Sequence, residues 1–173
     1  HPLDQFRAFK QLADQSIPDA EIAKRYHVTE KFVRQRLKLA SASPVLLKAF
    51  QDDAISLEKL EAFCVTENHE RQEAVLKRMQ DGHGMGAYAI RQALTETSVE
   101  ADDPRARYVG LAAYQEAGGT IMNDLFREDS GPWLEDPALL DTLAVAKIGL
   151  QKDRLLTAGY KWAEVTLDLR EVY

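Results

Sequence analysis

Polar residues that favour helix N-termini stand in front of short apolar runs at five points in this chain. They are Thr29, Ser43, Ser56, Asn68 and Asp136, and proline follows directly after the second and the fifth. The side-chain oxygen of such a residue accepts a hydrogen bond from a backbone N–H group of the first helical turn, and proline fits the first helical position. The chain is therefore constrained to a succession of short helices joined by tight connections.

Apolar residues at helical spacing complete this pattern up to residue 97. We predict helices over residues 3–15, from Pro18 to Tyr26, from Thr29 to Leu39, and from Pro44 to about Asp52. Further helices are predicted after Ser56, from Asn68 to about Gln80, and around Ala87, Ile90 and Leu94. Seven helices without a convincing strand indicate an all-α module.

The sequence changes character after this module. The polar and acidic segment from Thr95 to Asp103 predicts a boundary, with domain one at residues 1–97, a linker at 98–104 and a smaller, mainly helical unit at 105–173. In that unit we predict a helix over 105–117 and a long helix from Pro137 to about Ala158. Alternation over residues 162–169 predicts one short strand, with 120–122 as its partner.

The stretch from Ile22 to Leu39 predicts two short helices joined by a three-residue turn, with a basic second helix. Between Asp19 and Lys48 there are seven Lys and Arg residues and three Asp and Glu residues, a local charge of +4. The whole chain carries −6, so the remainder carries −10. This layout is typical of a helix-turn-helix, whose second helix enters the DNA major groove.

Spacing on the second helix separates an inward from an outward face. Val33, Leu37 and Ala40 repeat at i, i+4 and i+7 and are expected to face the core. The candidate DNA-binding residues are Lys24, Arg25, Thr29, Glu30, Lys31, Arg34, Gln35, Arg36 and Lys38.

Each candidate has a chemical role in this hypothesis. Arg34, Gln35 and Thr29 would contact base edges, since Arg suits guanine and Gln suits adenine, and Glu30 is within reach of cytosine. The Lys residues, with Arg25 and Arg36, would contact phosphates. Two observations keep the alternative open. A basic run is often only a solvated helix face, and His27 occupies a turn position that favours glycine.

Several segments together resemble the ParB family of partition proteins, most closely its plasmid-borne, KorB-like branch. The matching residues are Asp4–Phe9, Glu21–Ala23, Val28–Thr29, Val33–Ala40, Ser43–Pro44, Leu57–Leu60, Ala62–Phe63 and Arg71–Val75. The resemblance covers most of residues 1–97. Segments 107–111 and 133–140 resemble longer plasmid homologues.

The resemblance implies a bacterial, cytoplasmic protein that binds a centromere-like or operator site on double-stranded DNA. Its expected roles are plasmid or chromosome partition and transcriptional repression, acting as a homodimer with a partition ATPase as partner. The family's N-terminal domain binds CTP through a Gly-Glu-Arg-Arg type motif, which this sequence lacks. We therefore expect a fragment of the central region, without a cofactor and without enzymatic activity.

Other motifs give weaker indications of chemistry. His69 and Glu70 resemble half of a metalloprotease helix, but Glu73 stands where the second histidine belongs. The glycines of residues 82–86 do not match a phosphate-binding fingerprint and are expected to form a hinge. Adjacent Asp pairs at 52–53 and 102–103 are expected to be solvated turn residues rather than metal ligands.

The remaining observations concern burial and location. Cys64, the only cysteine, lies in an apolar helical pattern and is expected to be a buried structural thiol. Trp133, Trp162 and Tyr160 are either core anchors, which we favour, or an exposed contact patch. No run approaches the 18 apolar residues of a membrane span. The alternative function is a protein-interaction module that recruits a partition ATPase or transcription factor, with DNA binding incidental.

Overall fold

Helices dominate the described part of the chain, which comprises residues 2–82, 84–127 and 131–167 of a computed structural model. Ten helices and a small three-stranded antiparallel sheet occur in these residues. The prediction of a mainly α-helical protein is thereby confirmed. The described residues divide into two units, one formed by 2–96 with 123–127 and the other by 97–122 with 131–167.

The first unit contains seven helices, as the apolar periodicity predicts. They are α1 (Pro2–Asp14), α2 (Asp19–Tyr26), α3 (Glu30–Ala40), α4 (Pro44–Gln51), α5 (Leu57–Phe63), α6 (His69–Gln80) and α7 (Ala87–Thr95). The predicted N-caps are confirmed, because each polar side chain accepts a hydrogen bond from a backbone N–H group three residues later. These caps are Thr29, Ser43, Ser56 and Asn68.

Helix α3 is held by α1 and α2 around a small apolar cluster. Phe9, Ile22, Ala23 and Val33 are buried in this cluster. The expected inward position of Val33 is confirmed, whereas Leu37 and Ala40 are only half-buried and Leu39 is fully buried. At 3.6 residues per turn, positions 33 and 39 lie about 120° apart around the helix. The simple i, i+4, i+7 stripe failed because α3 is covered on two sides.

A buried glutamine connects three segments of the first unit. The Gln72 side chain is 1% exposed; its Oε1 accepts from the Ser43 N–H group at 2.9 Å. Its Nε2 donates to the carbonyl oxygens of Thr66 at 2.8 Å and Phe63 at 3.3 Å. One side chain thus forms hydrogen bonds with backbone groups at the start of α4 and just after α5 in the core.

The second unit is built on strands β1 (Val99–Glu100), β2 (Ile121–Met122) and β3 (Trp133–Leu134), with helices α8 (Pro104–Val109), α9 (Leu111–Glu116) and α10 (Pro137–Thr157). The central strand β3 pairs antiparallel with both neighbours, and Leu134 lies opposite both Val99 and Ile121. The N-cap at Asp136 and the proline at the first position of α10 are as predicted.

Three sequence predictions for this unit need correction. Residues 98–104 do not form a linker, since they contain β1 and the start of α8. The helix expected over 105–117 is broken at Gly110, whose φ of 89° is incompatible with a continuous helix. Residues 162–167 form no strand, and the partner of β2 is β3; residues 168 and 169 lie outside the described part. Two-residue strands depend on long-range pairing that alternation does not reveal.

The core of the second unit is centred on Tyr114. Its ring is fully buried, and its hydroxyl accepts from the Asp136 N–H group at 2.8 Å. A Cβ atom at Gly119 would lie 2.3 Å from this ring, so the backbone passes too close for any other residue. The expectation that the later aromatic residues are core anchors was wrong for Trp162, which is 80% exposed, and for Tyr160, which is 63% exposed. Trp133 is half-buried.

Helix α10, with 21 residues, is the longest of the described helices. Charged side chains interrupt its apolar residues, and within the described ranges no helix combines the length and hydrophobicity needed to cross a bilayer.

Replacing Gln72 by Ala is expected to lower the free energy of unfolding by roughly 3 kcal/mol, because three buried backbone groups lose their partner. Urea denaturation followed by circular dichroism measures this loss. Gln80→Ala is the matched control, since Gln80 is exposed at the end of the same helix. Equal stability of the two variants would contradict the role assigned to Gln72.

Cys64 is buried as predicted, and desolvation raises the pKa of its thiol to about 12. Because only the thiolate attacks disulfide reagents, Cys64 is expected to stay unmodified near neutral pH in the folded protein and to react promptly in denaturant. A colorimetric thiol assay with and without urea makes this comparison. Rapid reaction of the native protein would show that the thiol is accessible.

Candidate functional site

The connection between α2 and α3 is a tight turn over residues 27–29. His27 has φ 54° and ψ 42°, the left-handed conformation that the sequence suggested for this position. The Val28 N–H group donates to the Ala23 carbonyl at 3.0 Å and closes the end of α2. Thr29 then caps α3, because its hydroxyl accepts from the Phe32 N–H group at 3.1 Å. These bonds fix where α3 begins.

The first turn and a half of α3 presents polar side chains to solvent. Thr29, Glu30, Lys31 and Arg34 are all exposed. The outward position predicted for Lys31 and Arg34 is therefore confirmed. Since the opposite side of this segment holds the buried Val33, the exposed side chains project from a helix whose position is fixed by packing.

Two further predicted residues are exposed on α2. Lys24 and Arg25 lie in its last turn, where positive charge also complements the helix dipole. Arg25 makes an ion pair with Glu21 at 3.4 Å, in which both side chains are more than half exposed. An exposed pair of this kind is weak, so it leaves the Arg25 guanidinium accessible to another anion.

Arg36 is placed differently from the other candidates. Its guanidinium carbon lies 4.3 Å from the ring centroid of Phe32 and 5.5 Å from that of Phe6. Its Nε atom is buried and has no hydrogen-bond partner in the described structure. The charged group thus stacks on aromatic faces beneath α3, a contact that stabilises packing through cation–π attraction.

The Lys38 side chain is largely covered by the protein, and its ammonium group reaches an exposed carboxylate. Its ammonium group pairs with the Glu67 carboxylate at 2.6 Å, and its side chain is only 16% exposed. The outward position predicted for Lys38 is wrong. The periodicity of α3 could not reveal this, because Glu67 lies 29 residues further along the chain.

Gln35 is held by a segment from a distant part of the sequence. Its Nε2 donates to the Leu125 carbonyl at 2.8 Å. Leu125 belongs to residues 123–127, here named the strap, which lie in sequence between β2 and β3 but belong to the first unit.

An ion pair holds the strap in the first unit. The Asp124 side chain is fully buried, and its Oδ2 accepts from Arg91 Nε at 2.7 Å. Its Oδ1 accepts from the Phe126 N–H group at 2.9 Å, which shapes the turn that presents the Leu125 carbonyl. Sequence reasoning missed Arg91 and Asp124, since 33 residues separate them and neither belongs to a motif.

Glu61 lies in the electrostatic field of the same charges. Burial raises the pKa of its carboxyl group, while Arg36 and Arg91 oppose that change and Asp124 adds to it. Glu61 thus lies within electrostatic range of Arg36 on α3 and of the Arg91–Asp124 ion pair. Arg34 is exposed and is not among the charges that influence Glu61.

In the described ranges, no three His, Cys, Asp or Glu side chains are grouped to hold a metal ion. The His69 ring nitrogen Nε2 is 2.9 Å from the Ser41 carbonyl, so this imidazole is engaged with the backbone. The exposed residues of α3 present hydrogen-bond donors and acceptors together with positive charge.

Arg36→Ala is expected to lower the free energy of unfolding by about 1–2 kcal/mol through loss of its aromatic contacts, whereas Arg34→Ala should stay within about 0.5 kcal/mol of the parent. Denaturant unfolding of both variants provides the comparison, with the exposed Arg34 as the matched control. If the two losses are the same, the structural assignment of Arg36 is incorrect.

Two curated proteins are similar to nearly all of this chain. They are the uncharacterized protein YubM of Escherichia coli K12 and the YubM protein of Escherichia coli O157:H7. Each is 29% identical over 167 residues, a match that covers 94% of this chain and 25% of the relative. The chain thus spans about a quarter of the length of these relatives. No family model and no solved structure matches it.

Proposed function

We propose that this chain is a sequence-specific DNA-binding protein of the ParB/KorB type, with α2 and α3 acting as a helix-turn-helix. The observation that carries this proposal is the exposed Arg34 on a helix whose other sides are packed. A rigid helix with an exposed polar N-terminal half is the element that such proteins insert into the major groove.

In this proposal the exposed residues divide into two groups. Arg34 reads a guanine through two parallel hydrogen bonds, and Thr29 and Glu30 lie at the end of α3 that enters the groove first. Lys24, Arg25 and Lys31 contact phosphates and supply most of the affinity. Arg36 and Lys38, which the sequence analysis assigned to phosphates, are instead engaged with the Phe32 ring and with Glu67.

The biological setting follows from the sequence resemblance to partition proteins. We propose binding to a centromere-like or operator site in plasmid or chromosome partition, with transcriptional repression as a linked role. A homodimer, a partition ATPase partner and a cytoplasmic, nucleoid-associated location belong to the same proposal. The role is binding and requires neither a cofactor nor a catalytic step.

One observation favours a second candidate function, a protein-interaction module. In the second unit, Leu150 is 63% exposed, and the exposed Tyr160 and Trp162 follow the same helix in sequence. Exposed large apolar and aromatic side chains are typical of protein-binding surfaces. Under this alternative the second unit would recruit a partition ATPase or transcription factor, and the basic residues of α3 would be incidental.

In vitro selection of duplex DNA on the chain discriminates between these functions. We expect enrichment of a defined site, and anisotropy titration of that site should show affinity that falls steeply with salt, as phosphate contacts require. Recovery of random sequence with weak, salt-insensitive binding would favour the protein-interaction module.

Arg34→Ala is expected to weaken binding to the selected site by about 1–3 kcal/mol and to relax specificity at one base pair, because one bidentate base contact is lost. Titration against duplexes with single base-pair changes measures both effects. Lys77→Ala is the control, since Lys77 is exposed on α6. Parental affinity and selectivity in the Arg34 variant would refute the assignment of the reading helix.

A further inference from the structure

Among the described residues, the amide of Gln35 makes one hydrogen bond, through its Nε2 atom. Its Nε2 carries two hydrogens, of which the Leu125 carbonyl accepts one at 2.8 Å. The second N–H group and the Oε1 lone pairs are not consumed by this bond. These are the donor and the acceptor that reading of adenine N7 and N6 requires.

The bond to Leu125 also determines which way the amide points. A glutamine side chain loses conformational entropy when it binds a base, because its rotatable bonds become fixed. A hydrogen bond that already orders the side chain reduces the entropy lost on binding. With Nε2 directed to the strap, Oε1 points in a different direction within the same amide plane. Gln35 is half-buried, so its amide is near the surface of α3 rather than within the core.

The position of the Leu125 carbonyl depends on Asp124. The Asp124 carboxylate accepts two hydrogen bonds, one from Arg91 on α7 and one from the N–H group of Phe126. Asp124 and Phe126 flank Leu125 in the sequence, so these bonds fix the backbone on both sides of Leu125. A buried carboxylate is stable only when it is paired, so moving the strap away from Arg91 would be energetically unfavourable. The ion pair therefore fixes the carbonyl that orients Gln35.

We propose that Asp124 is a positioning residue for DNA recognition, which through Arg91 and the Leu125 carbonyl orients Gln35 to read one A·T base pair. This inference rests on the proposed function and adds a specificity determinant that lies outside the helix-turn-helix. It assigns to the strap a role that neither α2 nor α3 supplies.

The test compares Asp124→Asn, Gln35→Ala and the double variant on the selected duplex and on duplexes with each base pair changed. We expect each single variant to lose at least about fivefold discrimination at the same base pair, with other positions unchanged. The double variant should lose no more discrimination at that base pair than Gln35→Ala alone, since both substitutions remove the same base contact. Thermal unfolding verifies that the variants fold, and Arg91→Lys replaces Asp124→Asn if that variant does not.

Three binding outcomes would overturn the inference. A uniform loss of affinity over all duplexes would show that Asp124 only stabilises the fold. Tighter binding by Asp124→Asn would show that the strap occludes Gln35 rather than orienting it. Unchanged discrimination in a folded variant would show that the carbonyl contact has no influence on recognition.

A side-chain amide spectrum of Gln35 separates this inference from the proposed function. If the parent selects a site but the Gln35 amide resonances are the same in Asp124→Asn, the positioning role fails while DNA binding stands. If the resonances change but the parent selects no site, the proposed DNA binding is refuted, and the role of Asp124 in recognition is refuted with it. Changed resonances together with a loss of discrimination at one base pair support both the positioning role of Asp124 and the proposed DNA binding.

Discussion

The packing of α3 against α1 and α2 is the constraint on which the candidate site depends. Phe9, Ile22 and Val33 exclude water between the three helices, and the left-handed turn at His27 allows α2 and α3 to meet within three residues. Burial of such side chains contributes on the order of 1.5–3 kcal/mol each, far more than any exposed ion pair. The apolar contacts therefore determine which side of α3 remains exposed, and Arg34 is on that side.

Residues of the same chemical type take opposite roles on this one helix. Arg34 is exposed, while Arg36, two positions later, lies over the rings of Phe32 and Phe6. A helix turns about 200° in two residues, so basic residues that are close in sequence lie on two different sides of the helix. Counting positive charges identifies the segment, but only burial and contacts distinguish the exposed basic residues from those that stabilise the fold.

The sequence predicted those structural features that depend on residues close together in the chain. The caps at Thr29 and Asn68, the turn at His27 and the helices around them follow from local chemistry, and they account for the architecture of the first unit. Pairings across long stretches were missed: the strap that reaches Gln35, the Lys38–Glu67 ion pair and the position of β3. Each depends on residues tens of positions apart, whose encounter is set by the whole fold rather than by periodicity.

The most direct test of this account is a crystal structure of the chain bound to a duplex obtained by selection. The account predicts α3 in the major groove, with the Arg34 guanidinium at hydrogen-bond distance from guanine O6 and N7 and with Arg36 still stacked on Phe32. A duplex bound to another surface, or Arg34 directed into solvent while the groove is occupied by a different element, would contradict it.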